Sequence, residues 1–215
     1  MSAWPRCCDP HAMTQAPFDE LAGDYDQWFE RNGCTYSSEL SALRASLPAG
    51  LGLEIGVGTG RFAAPLAISV GLDPSVPMLR AAAGRGVPVV RGLAERLPFR
   101  DGASDFALLV TVLCFVKDPL AALREAFRVT RPDGRLIVGL LDRASPLGKV
   151  YEVKAAESRF YGTARFLSVQ EAEGLMLDAG WHVEGVRQAV FDKEVQATFL
   201  EGHGQGLFAV ISARK

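Results

Sequence analysis

Leu51-Gly52-Leu53-Glu54-Ile55-Gly56-Val57-Gly58-Thr59-Gly60 is a short apolar run that breaks into glycine at alternate positions, and its reading decides the fold. Alternate glycines directly after a strand let the backbone turn tightly and leave no Cβ between the main chain and a ligand. A second apolar run, Val70-Gly71-Leu72, ends in the acid Asp73. In a doubly wound sheet the acid at the end of the next strand is offered to ribose hydroxyls, so the two segments together predict a nucleoside site. Particular residues exclude two other nucleotide chemistries. A dinucleotide fingerprint begun at Gly56 or Gly58 needs a third glycine at position 61 or 63, where this chain has Arg61 and Ala63. No Gly-Lys-Ser/Thr follows, which removes the phosphate-binding P-loop.

Outward from this stretch, strands and helices alternate. Strands are predicted at about 52 to 56, 69 to 73, 88 to 91, 105 to 110 and 134 to 141, with helices near 60 to 67, 75 to 84 and 118 to 130. Asp118 caps the last of these helices, with Pro119 in its first turn and Leu120, Leu123 and Phe127 on one face. Ser168 and Glu171 have capping-box spacing and open a helix whose apolar Ala172, Leu175, Met176 and Ala179 end before Gly180. Trp181 to Phe191 and Leu207 to Ser212 read as the last two strands. Ahead of the sheet, Phe18, Leu21, Ala22, Tyr25, Trp28 and Phe29 recur at helical spacing, and Tyr36, Leu40, Leu43 and Leu47 form a second stripe before the Pro48-Ala49-Gly50 break. Such alternation requires right-handed crossovers and a mostly parallel α/β sheet covered on both faces.

With 215 residues, 48% hydrophobic and 22% charged, the chain buries a full core without disulfides or metals, and residues 18–215 are expected to form a single domain. A net charge of -2 gives no general attraction to nucleic acid or to an anionic membrane. Met1 to Met13 lacks the apolar core of a signal peptide, and Phe106 to Val116 is too short to span a bilayer, so the expected location is the cytoplasm. Residues 1–17 read as a disordered tail, and a start at Met13 would make the first residues a leader without function. The cysteines at 7, 8, 34 and 114 lack paired metal-ligand spacing, so neither they nor His11 are expected to hold a metal. Cys114 reads as a small buried hydrophobe.

Glu-x-Gly-x-Gly-x-Gly followed by Asp73 resembles motif I and the acidic loop of the class I S-adenosylmethionine (SAM) dependent methyltransferases. Val90-Arg91-Gly92-Leu93-Ala94-Glu95-Arg96-Leu97-Pro98-Phe99 resembles the segment that passes the adenine in the ubiquinone/menaquinone-biosynthesis type, also called methyltransferase type 11. Ser104-Asp105-Phe106 through Asp118-Pro119 resembles the strand and loop after it, and Arg131-Pro132-Asp133-Gly134-Arg135-Leu136 the turn into the fifth strand. These motifs cover residues 18 to 141 in order. The resemblance implies a Rossmann-like fold of seven strands, the last antiparallel and inserted beside the fifth. Two departures stand out: the family usually has Asp at the position of Leu93 and His at that of Phe115. Adenine recognition is then expected from backbone groups around Ala94, and no role of the loop histidine carries over.

The resemblance also implies a distribution of roles. Gly56, Gly58 and Gly60 would pass the methionine portion of SAM, Asp73 and the adjoining Pro74 the ribose, and Met78 the adenine, with Ala94 and Glu95 on the adenine-side segment. Glu54 either orients the amino-acid ammonium or caps local backbone amides. Thr111 either lines the cofactor or is an ordinary strand threonine. Tyr25 matches a tyrosine that closes over the amino-acid end, making residues 18–47 a helical lid. On the acceptor side, ligands of open α/β sheets sit beyond the carboxyl ends of the strands, which points to Asp142 and Arg143. The aromatic-dotted segment from Leu147 to Phe166, with Tyr151, Arg159, Phe160, Tyr161 and Arg165, occupies the place of substrate-specific cover. Tyr36, Arg143, Tyr161 and His203 are the candidate acceptor-side residues. His203, between glycines, is either a general base or part of a flexible turn, and His182 reads as structural. The expected function is methyl transfer from SAM to a small molecule by in-line displacement. RNA methylation and a non-catalytic SAM-binding module are the alternatives, and neither the acceptor atom nor a catalytic residue is legible.

Overall fold

The computed structural model describes residues 18–19, 22–155, 158, 161–190 and 198–215. The expected tail with Cys7, Cys8 and His11 lies outside the described residues, as do Leu21, Arg159 and Phe160. Two helices, α1 (Ala22–Arg31) and α2 (Gly33–Ser46), lead into β1 (Gly52–Ile55) and β2 (Val70–Asp73). Then follow α3 (Val76–Gly84), β3 (Val89–Arg91), β4 (Ser104–Val110), α4 (Pro119–Val129) and β5 (Thr130–Leu141). The remaining elements are α5 (Pro146–Ala155), α6 (Val169–Asp178), β6 (His182–Val190), β7 (Thr198–Glu201) and β8 (Phe208–Arg214).

The strands form one sheet in the order β3-β2-β1-β4-β5-β8-β6-β7. Strands β1 to β5 pair in parallel, and β8 runs antiparallel between β5 and β6, as the family resemblance implied. The sheet has eight described strands rather than seven, because Thr198–Glu201 pairs antiparallel with the second half of β6 and extends that edge. Side-chain alternation divides the core in two. Ala107, Leu109, Leu136 and Val138 face α4 and α6, where Leu123, Ala126, Met176 and Trp181 are buried. Leu108, Val110, Ile137 and Val210 face the leading helices with Leu43, Phe29 and Phe62. The Trp181 indole donates to the Leu123 carbonyl at 3.1 Å, so a large ring is buried without an orphaned donor.

The predicted caps form. Asp118 accepts from the Ala121 amide at 3.0 Å ahead of Pro119. Ser168 and Glu171 close their capping box, with the Glu171 amide donating to Ser168 Oγ and the Ser168 amide to Glu171 Oε2. The helix expected near 60 to 67 is instead a run of turns. Pro65 has no N–H, so the carbonyl of Arg61 receives no helical hydrogen bond and accepts from the Tyr36 hydroxyl. Conversely, a helix, α5, occupies part of the segment read only as cover. Among the described residues no helix is long and apolar enough to cross a membrane.

Candidate active site

Beyond Ile55 the backbone amides of Gly56 and Val57 both donate to the Leu72 carbonyl, at 2.7 and 2.9 Å, so the glycine loop hangs from the end of β2. Gly56 has φ +76° and a Cβ there would stand 2.3 Å from a Val112 methyl, so both backbone and space demand glycine. At Gly58, φ is +51° and an added Cβ would meet nothing nearer than the Tyr25 ring at 3.9 Å, so the loop leaves free space in front of the main chain. Asp73 fixes this arrangement, accepting from the Gly58 amide through Oδ2 and the Ser75 amide through Oδ1, each at 2.9 Å. Burial raises its pKa above the ordinary carboxylate value, against the lowering effect of those two amides.

A cleft opens over the carboxyl ends of β1, β2 and β4, with an empty volume of about 970 Å³ including its mouth. Of the sequence-predicted residues it gathers Tyr25, Gly56, Gly58, Asp73, Pro74, Met78, Ala94, Glu95, Thr111 and Tyr161 on one wall or another. Thr111 lies just past the end of β4 at φ +53°, a strained conformation for a β-branched residue, with its amide bonded to the Gly139 carbonyl at 2.8 Å. Glu95 accepts from the Lys117 amide at 3.0 Å, tying the adenine-side segment to the loop before α4. Aromatic rings form the cover. Phe115 packs edge-on to Phe18 at 4.9 Å and stacks with Tyr161 at 5.7 Å, and Tyr161 in turn meets Tyr151 at 5.7 Å. Sequence reasoning missed Phe115 as a wall residue, although its replacement of a usual histidine was a visible signal. Leu93, the other departure, also lines the cleft.

The other candidates lie elsewhere. Glu54 is 1% exposed beneath the loop and is not among the lining residues. Gly60 faces helix α3, where an added Cβ would stand 3.1 Å from Ala82. Tyr36 is packed between Phe29 and Phe62, at 5.1 and 5.5 Å. Arg143 is held by both oxygens of Glu171, at 2.8 and 2.5 Å, away from the cleft. That pairing, together with the capping contact to Ser168, keeps the Glu171 carboxyl low, at about 2. His203 stands 3.8 Å from Asp142 Oδ2, again outside the lining. Burial pushes the Cys114 thiol up to about 12, so it stays protonated and is no nucleophile.

Residues 53–138 match the profile of a family described as a methyltransferase domain. An uncharacterized protein of Methanocaldococcus jannaschii is 44% identical over 201 residues, 92% of this chain and 98% of its own. A SAM-dependent methyltransferase of Thermotoga maritima, described as a possible histamine N-methyltransferase, aligns with a TM-score of 0.90 at 45% identity, over 94% of this chain and 99% of that one. The chain belongs to the class I SAM-dependent methyltransferases. Its sequence is also 37% identical over 157 residues to a demethylmenaquinone methyltransferase of Mycolicibacterium vanbaalenii, of which it spans 65%. The cofactor of this methyltransferase is SAM, and the site fits it. Glu54 Oε2 is buried without a hydrogen-bond partner among the described residues, an acceptor position suited to the ammonium of the amino-acid end. The open face of Gly58 would admit the methionine portion, Asp73 the ribose hydroxyls, and the apolar Met78 and Leu93 the adenine.

Proposed function

We propose that this methyltransferase acts in the cytoplasm on a small-molecule acceptor, by direct in-line displacement at a single cleft. The observation that carries this reading is the aromatic cover of Phe18, Tyr25, Phe115 and Tyr161, rings packed against one another along the lining of the cleft. Asp73, Glu95 and Lys117 are the charged residues among its described lining, a balance that opposes a phosphate backbone. The relative described as a possible histamine N-methyltransferase brings small amines forward as acceptors.

Bound SAM supplies a methyl group on a positively charged sulfur, already activated toward a nucleophile. The task left to the protein is orientation, which can supply on the order of 7 kcal/mol or more of the barrier. The glycine loop and Asp73 would fix the donor end, while Tyr25, Phe115 and Tyr161 would press the acceptor against it and exclude water.

Methyl-labelled SAM incubated with a metabolite extract tests the reading. Label is expected in small molecules and is expected to survive nuclease treatment. Label removed by nuclease would establish the RNA alternative, and tight SAM binding without any label transfer would establish a non-catalytic module.

A further inference from the structure

Phe18 and Tyr25 belong to one helical stripe, Phe115 follows β4 in a loop, and Tyr161 follows α5, so three separate segments bring four rings to the lining of the cleft. The rings are contiguous: Tyr25 to Phe18 is 6.3 Å between centroids, Phe18 to Phe115 4.9 Å, and Phe115 to Tyr161 5.7 Å. This row begins over the glycine loop. The Tyr25 ring lies 3.9 Å from where a Cβ on Gly58 would stand, and the Gly58 amide is 2.9 Å from Asp73 Oδ2. The next residue, Asp26, accepts from the Thr59 hydroxyl at 2.7 Å, which fastens this turn of α1 to the same loop. With the methionine portion of SAM at Gly58 and the ribose at Asp73, the sulfur that joins them belongs in the short interval between, beside Tyr25.

That sulfur is positively charged before transfer and neutral after it. A charge taken out of water needs a compensating partner. The acids of the described lining are already engaged, Asp73 by the amides of Gly58 and Ser75 and Glu95 by the amide of Lys117. Burial raises the phenols of Tyr25 and Tyr161 above their ordinary values, so neither offers a phenolate and the rings themselves must supply the attraction. A cation over the face of an aromatic ring, within about 6 Å of its centroid, is attracted by the ring quadrupole, most strongly where water is excluded. A neutral thioether receives no such attraction.

We infer that Tyr25, with Phe18, Phe115 and Tyr161 continuing the same wall, reads the charge of the cofactor, holding the cationic sulfur of SAM and letting go of the neutral product. When the S–CH3 bond breaks, its electron pair stays on sulfur and the positive charge leaves with the methylated acceptor, so the rings then face S-adenosylhomocysteine without this hold on it. The recognition depends on the cofactor of the family alone, whatever the acceptor, and its failure would leave the small-molecule reading standing.

Calorimetry on the full chain with three probes tests it: SAM, S-adenosylhomocysteine, and the aza analogue of SAM, in which an N-methyl tertiary amine replaces the methylated sulfur. SAM is expected to bind about tenfold or more tightly than S-adenosylhomocysteine. The aza analogue, measured against S-adenosylhomocysteine at each pH, is expected to bind more tightly below its amine pKa than above it, which isolates charge at constant shape. Tyr25→Phe keeps the ring and should keep both preferences, whereas Tyr25→Leu should cut the ratio of SAM to S-adenosylhomocysteine affinity by about threefold or more. Reading a ratio separates lost charge recognition from a general loosening of the helix, and the parent chain alone decides the matter if the leucine variant fails to fold. Equal affinity for SAM and S-adenosylhomocysteine, an aza analogue indifferent to its own proton, or a ratio unchanged in Tyr25→Leu would each overturn the assignment.

Discussion

At the scale of single residues, Asp73 is the position where loop geometry and the proposed ribose contact meet. Its carboxylate holds the Gly58 and Ser75 amides while retaining acceptor capacity for ribose hydroxyls. Asp73→Ala is therefore expected to weaken S-adenosylhomocysteine by roughly 1.5 to 3 kcal/mol, about ten- to a hundredfold by calorimetry, with a smaller effect on folding. Glu39 predicts the opposite behaviour for stability. Its folded pKa, about 8, lies above the ordinary carboxyl value, so the folded state retains a proton that the unfolded state releases between those two values. Glu39→Gln should leave stability nearly unchanged below about pH 4 and raise it increasingly toward pH 8, by as much as a few kcal/mol, as read by urea unfolding at several pH values. Asp73 was legible in the sequence because a strand end and a glycine loop define its place. Glu39 was not, since a single acid in a helical stripe looks like any solvated residue until the packing shows which side it faces.

At the scale of elements, the leading helix is pinned to the glycine loop by Asp26. Its carboxylate accepts from Thr59 at 2.7 Å and Arg61 at 3.0 Å through one oxygen, and from Arg85 at 2.5 Å through the other. Burial opposes the charge, but these three donors win and hold Asp26 below the ordinary carboxylate value. Stability from such a group is present above the unfolded pKa and is lost as pH falls through the folded one. Asp26→Ala should accelerate hydrogen exchange of the α1 amides at neutral pH while sparing the β4 and β5 amides. In the parent chain the same loosening should set in only below about pH 4. A variant with unchanged α1 exchange would show that the aromatic contacts alone dock this helix. Periodicity revealed α1 and α2, and caps revealed α4 and α6. The segment after Gly60 misled because its apolar spacing suits a helix, while Pro65 withdraws the donor that a helix needs. The helix α5 was hidden by a segment whose stripe is weak, with Leu147, Val150 and Val153 exposed.

For the whole molecule, the sharpest expectation is discrimination between nucleotides. SAM or S-adenosylhomocysteine at about a hundred times its dissociation constant should stabilise the fold by roughly 2.7 kcal/mol, a rise of about 5 to 10 °C in melting temperature, whereas NAD should give none. A shift with NAD alone would sink the assignment of Arg61 and Ala63 as residues incompatible with a dinucleotide. The parallel half of the sheet was legible because each strand there is a compact apolar run ending in a turn. Strand β7 was not, because its four residues form an edge whose pairing depends on β6 rather than on any pattern of their own. The position of β8 between β5 and β6 bears on how the chain is made. When β5 leaves the ribosome, its outer backbone edge must wait for residues 208–214, which emerge only after α5, α6, β6 and β7. At typical synthesis rates that interval is on the order of several seconds, long enough for an uncovered apolar edge to meet another chain. Slow translation through residues 142–207 should therefore favour aggregation of nascent chains, whereas the finished protein, with that edge sealed from within, should not share the tendency.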